Sequence, residues 1–236
     1  MNDYRSRAYS RYNKDYTFEP PRLASSYDRR LTSIVRPQKH WSCLDIACGY
    51  GNLLAYLRAK GITEYIGIDT SADAVAVASK EFGTNRVQQA DVFGYLASNR
   101  NSFDLISAID FIEHVTKDEF YELLDMTFSA LKPGGLILLR TPNANGLFGM
   151  AARYNDITHE VCFTPGSIAD ALSSGGFEIR AIWEDLGRPT SALQLMHWLA
   201  WKVVRVAIRC ANAAETGSWG DGILTRNMWI LACKKS

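Results

Sequence analysis

Leu44-Asp45-Ile46-Ala47-Cys48-Gly49-Tyr50-Gly51 ends an apolar run on a carboxylate, then turns through two glycines into Asn52-Leu53-Leu54-Ala55-Tyr56-Leu57. Glycine tolerates the sharp backbone turn and lets the main chain come close to a ligand. The apolar content of the following segment predicts an amphipathic helix. A strand, a glycine turn and a helix in that order form the first unit of a ligand-binding α/β sheet.

The same alternation continues downstream. Strands are expected near 42–47, 64–69, 86–90, 103–109 and 135–141, with helices near 52–60, 71–81, 93–99 and 116–131 between them. This is the signature of a doubly wound, mostly parallel sheet. Helix starts are marked by Ser71, by Thr116 with Glu119 three residues on, and by Thr164 before Pro165. Lys132-Pro133-Gly134-Gly135 stops a helix and turns into a strand. A helix near 165–174 precedes strands near 177–183 and 226–233, which finish the sheet as a terminal hairpin.

Residues 1–40 form an aromatic, basic lead-in with Tyr4, Tyr9, Tyr12, Tyr16 and Tyr27, read as a helical lid on a domain spanning 41–236. Residues 184–225 are a helical insertion before the last strand. With 236 residues and 47% hydrophobic composition the chain buries one sizeable core. The 26 Lys and Arg nearly cancel 25 Asp and Glu, which argues against a nucleic-acid partner. Five scattered cysteines without a Cys-x-x-Cys pair, a polar N-terminus and the lack of a long apolar run predict a cytoplasmic protein.

Three carboxylates end three successive strands. Asp69 suits a ribose diol, with Thr70 beside it. Asp45 before the glycine turn suits an ammonium group, which S-adenosylmethionine carries and a nicotinamide dinucleotide lacks. Asp91 suits an adenine amino group, with Val92 and Phe93 over the ring. Each acid alone also fits a plain helix cap or turn; the set of three favours the methyl donor.

Leu44–Gly51, Tyr65-Ile-Gly-Ile-Asp-Thr-Ser71, Gln89-Ala-Asp-Val92, Phe103-Asp-Leu-Ile-Ser-Ala-Ile-Asp110 and Leu131-Lys-Pro-Gly-Gly135 resemble the successive motifs of class I S-adenosylmethionine-dependent methyltransferases. The resemblance covers roughly residues 40–185. It implies a seven-stranded Rossmann-like sheet with a reversed last strand. It also implies that Asp45, Cys48, Gly49, Gly51, Asn52, Asp69, Thr70, Asp91, Val92, Ile109 and Asp110 hold S-adenosyl-L-methionine.

Asp110-Phe-Ile-Glu113-His114-Val115 follows the fourth strand, where the reacting methyl group is expected. The segment resembles the Glu-x-x-Glu-His loop of metal-dependent O-methyltransferases, with aspartate in place of the first glutamate. Arg153-Tyr-Asn-Asp-Ile-Thr-His159-Glu160 resembles the segment that supplies a further histidine. Asp110, Glu113, His114 and His159 therefore form a candidate set for Mg2+ or Mn2+. With a metal bound, His159 or Glu160 would accept the acceptor's proton; the competing reading gives Glu113 and His114 a role in loop shape and makes His159 a general base or a satisfied polar residue. Either way the chemistry is O-methylation, since a hydroxyl needs a metal or a base before it attacks.

A long helix near 190–214 sets Lys202, Arg205 and Arg209 on one face and apolar residues on the other. It is read as packing on the domain or across a homodimer interface, with a basic surface for a lipid-linked substrate or the inner face of a membrane as the alternative. Ala214-Glu-Thr-Gly217 and Leu224-Thr-Arg-Asn-Met-Trp-Ile230 resemble methyltransferases of bacterial surface-polysaccharide (O-antigen) pathways. The expected acceptor is thus a carbohydrate, a sugar hydroxyl of a glycan or nucleotide sugar. The alternatives are a catechol, quinone precursor or other small molecule, and a non-catalytic cofactor-binding protein.

Overall fold

Strand β1 (Ser42–Ile46) is the centre of the molecule, pairing in parallel with β2 (Glu64–Asp69) on one side and β4 (Phe103–Ile109) on the other. The computed structural model describes residues 19–31 and 33–235, so the lead-in tyrosines Tyr4, Tyr9, Tyr12 and Tyr16 lie outside the described residues. β3 (Val87–Gln89), β5 (Leu131–Pro142), β6 (Phe177–Glu184) and β7 (Asn227–Lys234) complete seven strands in the order β3-β2-β1-β4-β5-β7-β6. β7 runs antiparallel to both neighbours, so the expected terminal hairpin and reversed last strand are present.

The sheet is apolar on both faces, and alternation along each strand sorts the residues. Leu44 and Ile46 of β1, with Met228, Ile230 and Ala232 of β7, join one core, together with α5 (Lys117–Ala130) and α7 (Pro165–Ser174). Cys43, Trp229 and Leu231 face the other, against α1 (Pro20–Leu31), α2 (Asn52–Ala59) and α3 (Ala72–Phe82). Burying each large aliphatic side chain contributes about 1.5–3 kcal/mol.

Caps define the helix starts as the sequence predicts. Ser71 Oγ accepts the Ala74 N–H, and Thr116 with Glu119 forms a reciprocal capping box. Thr164 caps α7 with proline in the first turn. α4 (Val92–Ala97) is capped by Asp91.

Two features differ from expectation. β5 begins at Leu131 directly after α5, not at Gly135, because Leu131 is already extended and pairs with Phe103. Lys132–Gly135 is then absorbed as a register shift before Leu136 meets Leu105. The second difference is a short helix, α6 (Gly149–Tyr154), ahead of the segment carrying His159.

The long helix α8 (Ala192–Thr216) is present, and Arg205 on its cationic side turns toward the domain. Arg205 pairs with Glu184 at 3.0 Å, and Arg209 donates to the Trp219 carbonyl. The apolar side faces outward, so it does not pack on the domain, one of the two placements read from the sequence. Glu184, at the end of β6 and little exposed, draws Arg205 inward.

Gly67 in β2 is required by packing. A Cβ there would stand 2.7 Å from Cys48 Sγ and 2.9 Å from Leu54 Cδ1. Gly67→Ala is expected to lower stability by about 1–3 kcal/mol through overpacking. Adding Cys48→Ala should recover part of that loss in thermal melts; equal melting of the single and double variants would refute the contact.

Candidate active site

The sheet order reverses between β1 and β4, and the crevice beyond their carboxyl ends is where α/β sheets bind ligands. A cavity of about 640 Å3 opens there, lined among others by Gly49, Tyr50, Asp69, Thr70, Asp91, Val92, Asp110 and His114. Such a volume suits a cofactor-sized molecule.

The glycine turn forms the cavity floor. Gly49 has φ +53, and a Cβ on it would meet no atom within 4 Å, so any side chain there would project into the ligand space. Gly51, φ +84, is needed for a different reason: its Cβ would lie 2.5 Å from the Phe82 ring. Ala47, with φ 51, carries the left-handed backbone that glycine usually supplies.

Asp69 holds the turn closed. Its two oxygens accept the N–H groups of Gly49 and Ser71, both at 2.8 Å, while the residue borders the cavity. Asp91 Oδ1 accepts the N–H groups of Phe93 and Gly94, so the capping role holds, and the residue also lines the cavity. Carboxylates accept several hydrogen bonds each, so capping leaves capacity for a ligand. Asp45 lies deeper, 2% exposed, and accepts from Ser107 Oγ at 2.7 Å. Burial pushes its pKa from 3.8 up to about 7, a state that a nearby cation would reverse.

Of the residues expected to hold the donor, Asp45, Cys48, Gly51, Asn52 and Ile109 stand apart from the residues lining the cavity, and so do Glu113, His159 and Glu160 of the expected reacting end. The Cys48 thiol packs inward toward Gly67, and burial raises its pKa, which keeps it an inert packing group. Tyr50, Asp73, Phe111 and Glu119 line the cavity without having been singled out; only their closeness to the strand ends could have signalled them.

Beyond β4 the chain enters Asp110 with φ 53 and then a 3-10 turn, Ile112–His114. Arg140 at the end of β5 fixes this entry. Its carbonyl accepts the Asp110 N–H, and its Nε donates to Asp110 Oδ1 at 2.8 Å. Asp110 is thereby committed to Arg140, and the expected four-residue metal set contracts to three. Glu113, His114 and His159 place their candidate ligand atoms within 4.8 Å of one another.

The hydrogen bonds around these three residues orient them. Thr158 donates its hydroxyl to Asp156 at 2.7 Å, so at 2.8 Å it accepts from His114 Nδ1. His159 Nδ1 lies 3.2 Å from the Arg153 carbonyl, which can only accept. Both imidazoles therefore carry their protons on Nδ1 and their lone pairs on Nε2, the tautomer of a metal ligand or a base. Burial, reinforced by the neighbouring His159, lowers the His114 pKa and keeps the ring neutral. Glu113 is 1% exposed and takes a hydrogen bond from Thr141; burial lifts its carboxyl well above the usual range. Glu160 is exposed, its backbone N–H bonded to the Glu113 carbonyl.

The family described as a methyltransferase domain matches residues 9–182. Among curated proteins, the ubiquinone biosynthesis O-methyltransferase of Chelativorans sp. (strain BNC1) is 31% identical over 59% of this chain and 59% of its own length. Its namesake in Rhizobium johnstonii is 32% identical over 54% of each. The chain thus spans little more than half the length of these relatives. Among solved structures, a SAM-dependent methyltransferase from Archaeoglobus fulgidus superposes with a TM-score of 0.65 at 21% identity, covering 96% of this chain and 99% of that one. A possible histamine N-methyltransferase from Thermotoga maritima gives 0.61 at 16% identity, with 98% and 96% covered. These superpositions establish a shared seven-stranded Rossmann-like fold.

The buried acids set the pH response of the ligand-free protein. Asp45 ionises near 3.8 when unfolded and near 7 in the fold, so between those values the native state holds the extra proton and stability falls as pH rises. Glu113 acts in the same direction. The melting temperature is expected to be higher at pH 5.5 than at pH 8, with a smaller difference in Asp45→Asn. An Asp45→Asn profile that still follows wild type would refute the assignment.

Proposed function

This chain belongs to the methyltransferase-domain family and has its Rossmann-like fold, and from that premise we propose that it methylates a hydroxyl of a small molecule, a phenol or catechol, from S-adenosylmethionine. The observation that carries the reading is the cavity at the β1/β4 switch point, with Asp69 and Asp91 on its wall and His114 at its far end. The residues fit the donor molecule. Asp69 suits the ribose hydroxyls, Asp91 with Val92 and Phe93 suits the adenine, and Asp45, buried behind the glycine turn, suits the ammonium group once its carboxyl ionises.

In the reaction the acceptor oxygen attacks the donor's methyl carbon opposite sulfur. The carbon–sulfur electron pair returns to sulfur, and S-adenosylhomocysteine leaves. The acceptor proton passes to Nε2 of His159 or His114, whose tautomers leave that nitrogen able to accept it. Glu113, His114 and His159 also suit a divalent cation, whose chemistry there would be to lower the pKa of an acceptor hydroxyl. Two imidazoles held through Nδ1, beside one carboxylate, form a donor set with its supporting hydrogen bonds already in place.

Two observations favour a phenol over the sugar hydroxyl expected from the last segment. The relatives' names point to quinone chemistry and none to a glycan. The segment carrying His159 also exposes Leu147, Phe148, Met150, Tyr154 and Ile157, the last 87% exposed, an apolar surface on that segment that suits an aromatic or apolar-tailed acceptor better than a polyol.

Calorimetry should detect binding of S-adenosylmethionine and not of NADH, with the former abolished in Asp69→Ala. Methyl transfer to a catechol panel should exceed transfer to a sugar panel; the opposite ranking would return the acceptor to a carbohydrate. His159→Ala is expected to lower kcat by 10²–10⁴-fold with donor binding unchanged. If a cation takes part, a chelator lowers turnover and Mg2+ or Mn2+ restores it. Turnover that withstands both a chelator and Glu113→Ala would assign the histidines to base catalysis alone.

A further inference from the structure

Helix α8 is amphipathic in reverse. Trp198, Trp201 and Arg205 lie toward the domain, where Trp201 and Arg205 reach Glu184, while Arg209, on the flank, donates to the Trp219 carbonyl in the loop that follows the helix. None of the helix's residues is buried. Outward lie Ala192, Met196, Leu199, Val203, Val206 and Cys210, all exposed, with Met196, Leu199, Val203 and Val206 at 61, 51, 72 and 59%.

Their spacing is informative: steps of four and three residues alternate without a break from Ala192 to Cys210. A helix lying on its own domain needs a stripe of period 3.6, whereas a repeat of 3.5 keeps one seam against a partner helix. The stripe's two edges differ. Ala200, Ala207 and Ala214 run along one side at seven-residue intervals, while Leu195, Lys202 and Arg209 run along the other. The alanines permit close helix approach.

We propose that α8 is a self-association surface, pairing in parallel with α8 of a second copy of this chain. Charge selects the direction. A parallel pair sets Lys202 and Arg209 opposite the partner's alanine edge, whereas an antiparallel pair sets the cationic edges against each other. Val203 in one seam layer and Leu199 in the next is the combination that favours two strands. A lipid surface fits less well, because Arg205 is held inward by Glu184 and one edge of the apolar stripe carries alanines, so cations flank the stripe on one side alone. At 25 residues the helix is about 37 Å long, room for the whole repeat. The surface is independent of the reaction proposed for the cavity.

Sedimentation at micromolar concentration tests it, with Cys210 as reporter. Cys210 lies in a seam layer where a parallel pair brings each residue to its own copy, and the other cysteines are buried or partly buried. The expected result is a dimer that Val203→Glu converts to monomer, with melting temperature and S-adenosylmethionine binding retained. A short bismaleimide should link the wild-type dimer covalently and fail on Cys210→Ser. A monomer at these concentrations, a dimer indifferent to both Val203→Glu and Leu199→Glu, or a dimer that Cys210 does not cross-link would overturn the proposal. So would binding to anionic phospholipid vesicles by a protein that remains monomeric.

Discussion

The guanidinium of Arg140 is the interaction on which the carboxyl edge of the sheet depends. Arg140 stands two residues before the end of β5, its guanidinium lies 5.5 Å from the centre of the Trp229 ring, and it binds Asp110 through its side chain and its carbonyl. Asp185 lies 3.9 Å from it and also receives Arg30 of α1 and the indole N–H of Trp229. One cation thus connects β5, β7, the loop after β4 and the N-terminal helix. A buried charge is costly unless paired, so this network allows one arrangement of the loop. That arrangement carries Asp110 into left-handed backbone and directs the turn holding Glu113 and His114.

The opposite logic governs the carboxyls of Asp45 and Glu113. Each is almost wholly buried and takes a hydroxyl hydrogen bond without a full counter-charge. Removing water from an acid stores energy that a positively charged ligand can release. Two such acids stand near the carboxyl edge of the sheet, one behind the glycine turn and one in the turn after β4. Local strain follows the same line: among the described residues, Ala47 and Asp110 are non-glycine positions with positive φ at the ends of β1 and β4, where a functional edge holds unusual backbone in place.

The sheet was legible because period and punctuation agree: apolar runs end on Asp45, Asp69 and Ile109, and Ser71, Thr116 and Thr164 cap where they should. The start of β5 was hidden because Pro133 and Gly134 read as a stop, whereas pairing with Phe103 keeps Leu131 extended. The three acids were visible as strand-end residues, but how deeply Asp45 is buried depends on its neighbours in space. His114 and His159 could be paired through resemblance. The Thr158 and Asp156 bonds that set the His114 tautomer carry no sequence signal, and neither does Arg140, which follows four apolar residues like any strand-ending cation. For α8 the pattern gave two faces correctly but not which of its readings holds, because the partner that draws Arg205 inward, Glu184, is in another element.

The placing of β7 between β5 and β6 has a consequence for the order of assembly. β6 is translated well before β7, yet β7 is the strand it pairs with, and α8 with its outward apolar stripe is made in the interval. On the ribosome, β5 therefore presents an unpaired, apolar edge until the final residues of the described chain emerge, and an open edge of that kind invites pairing with other chains. The parallel part of the sheet, with the glycine turn, can close first. Nascent chains halted within α8 should thus be the form most in need of a chaperone.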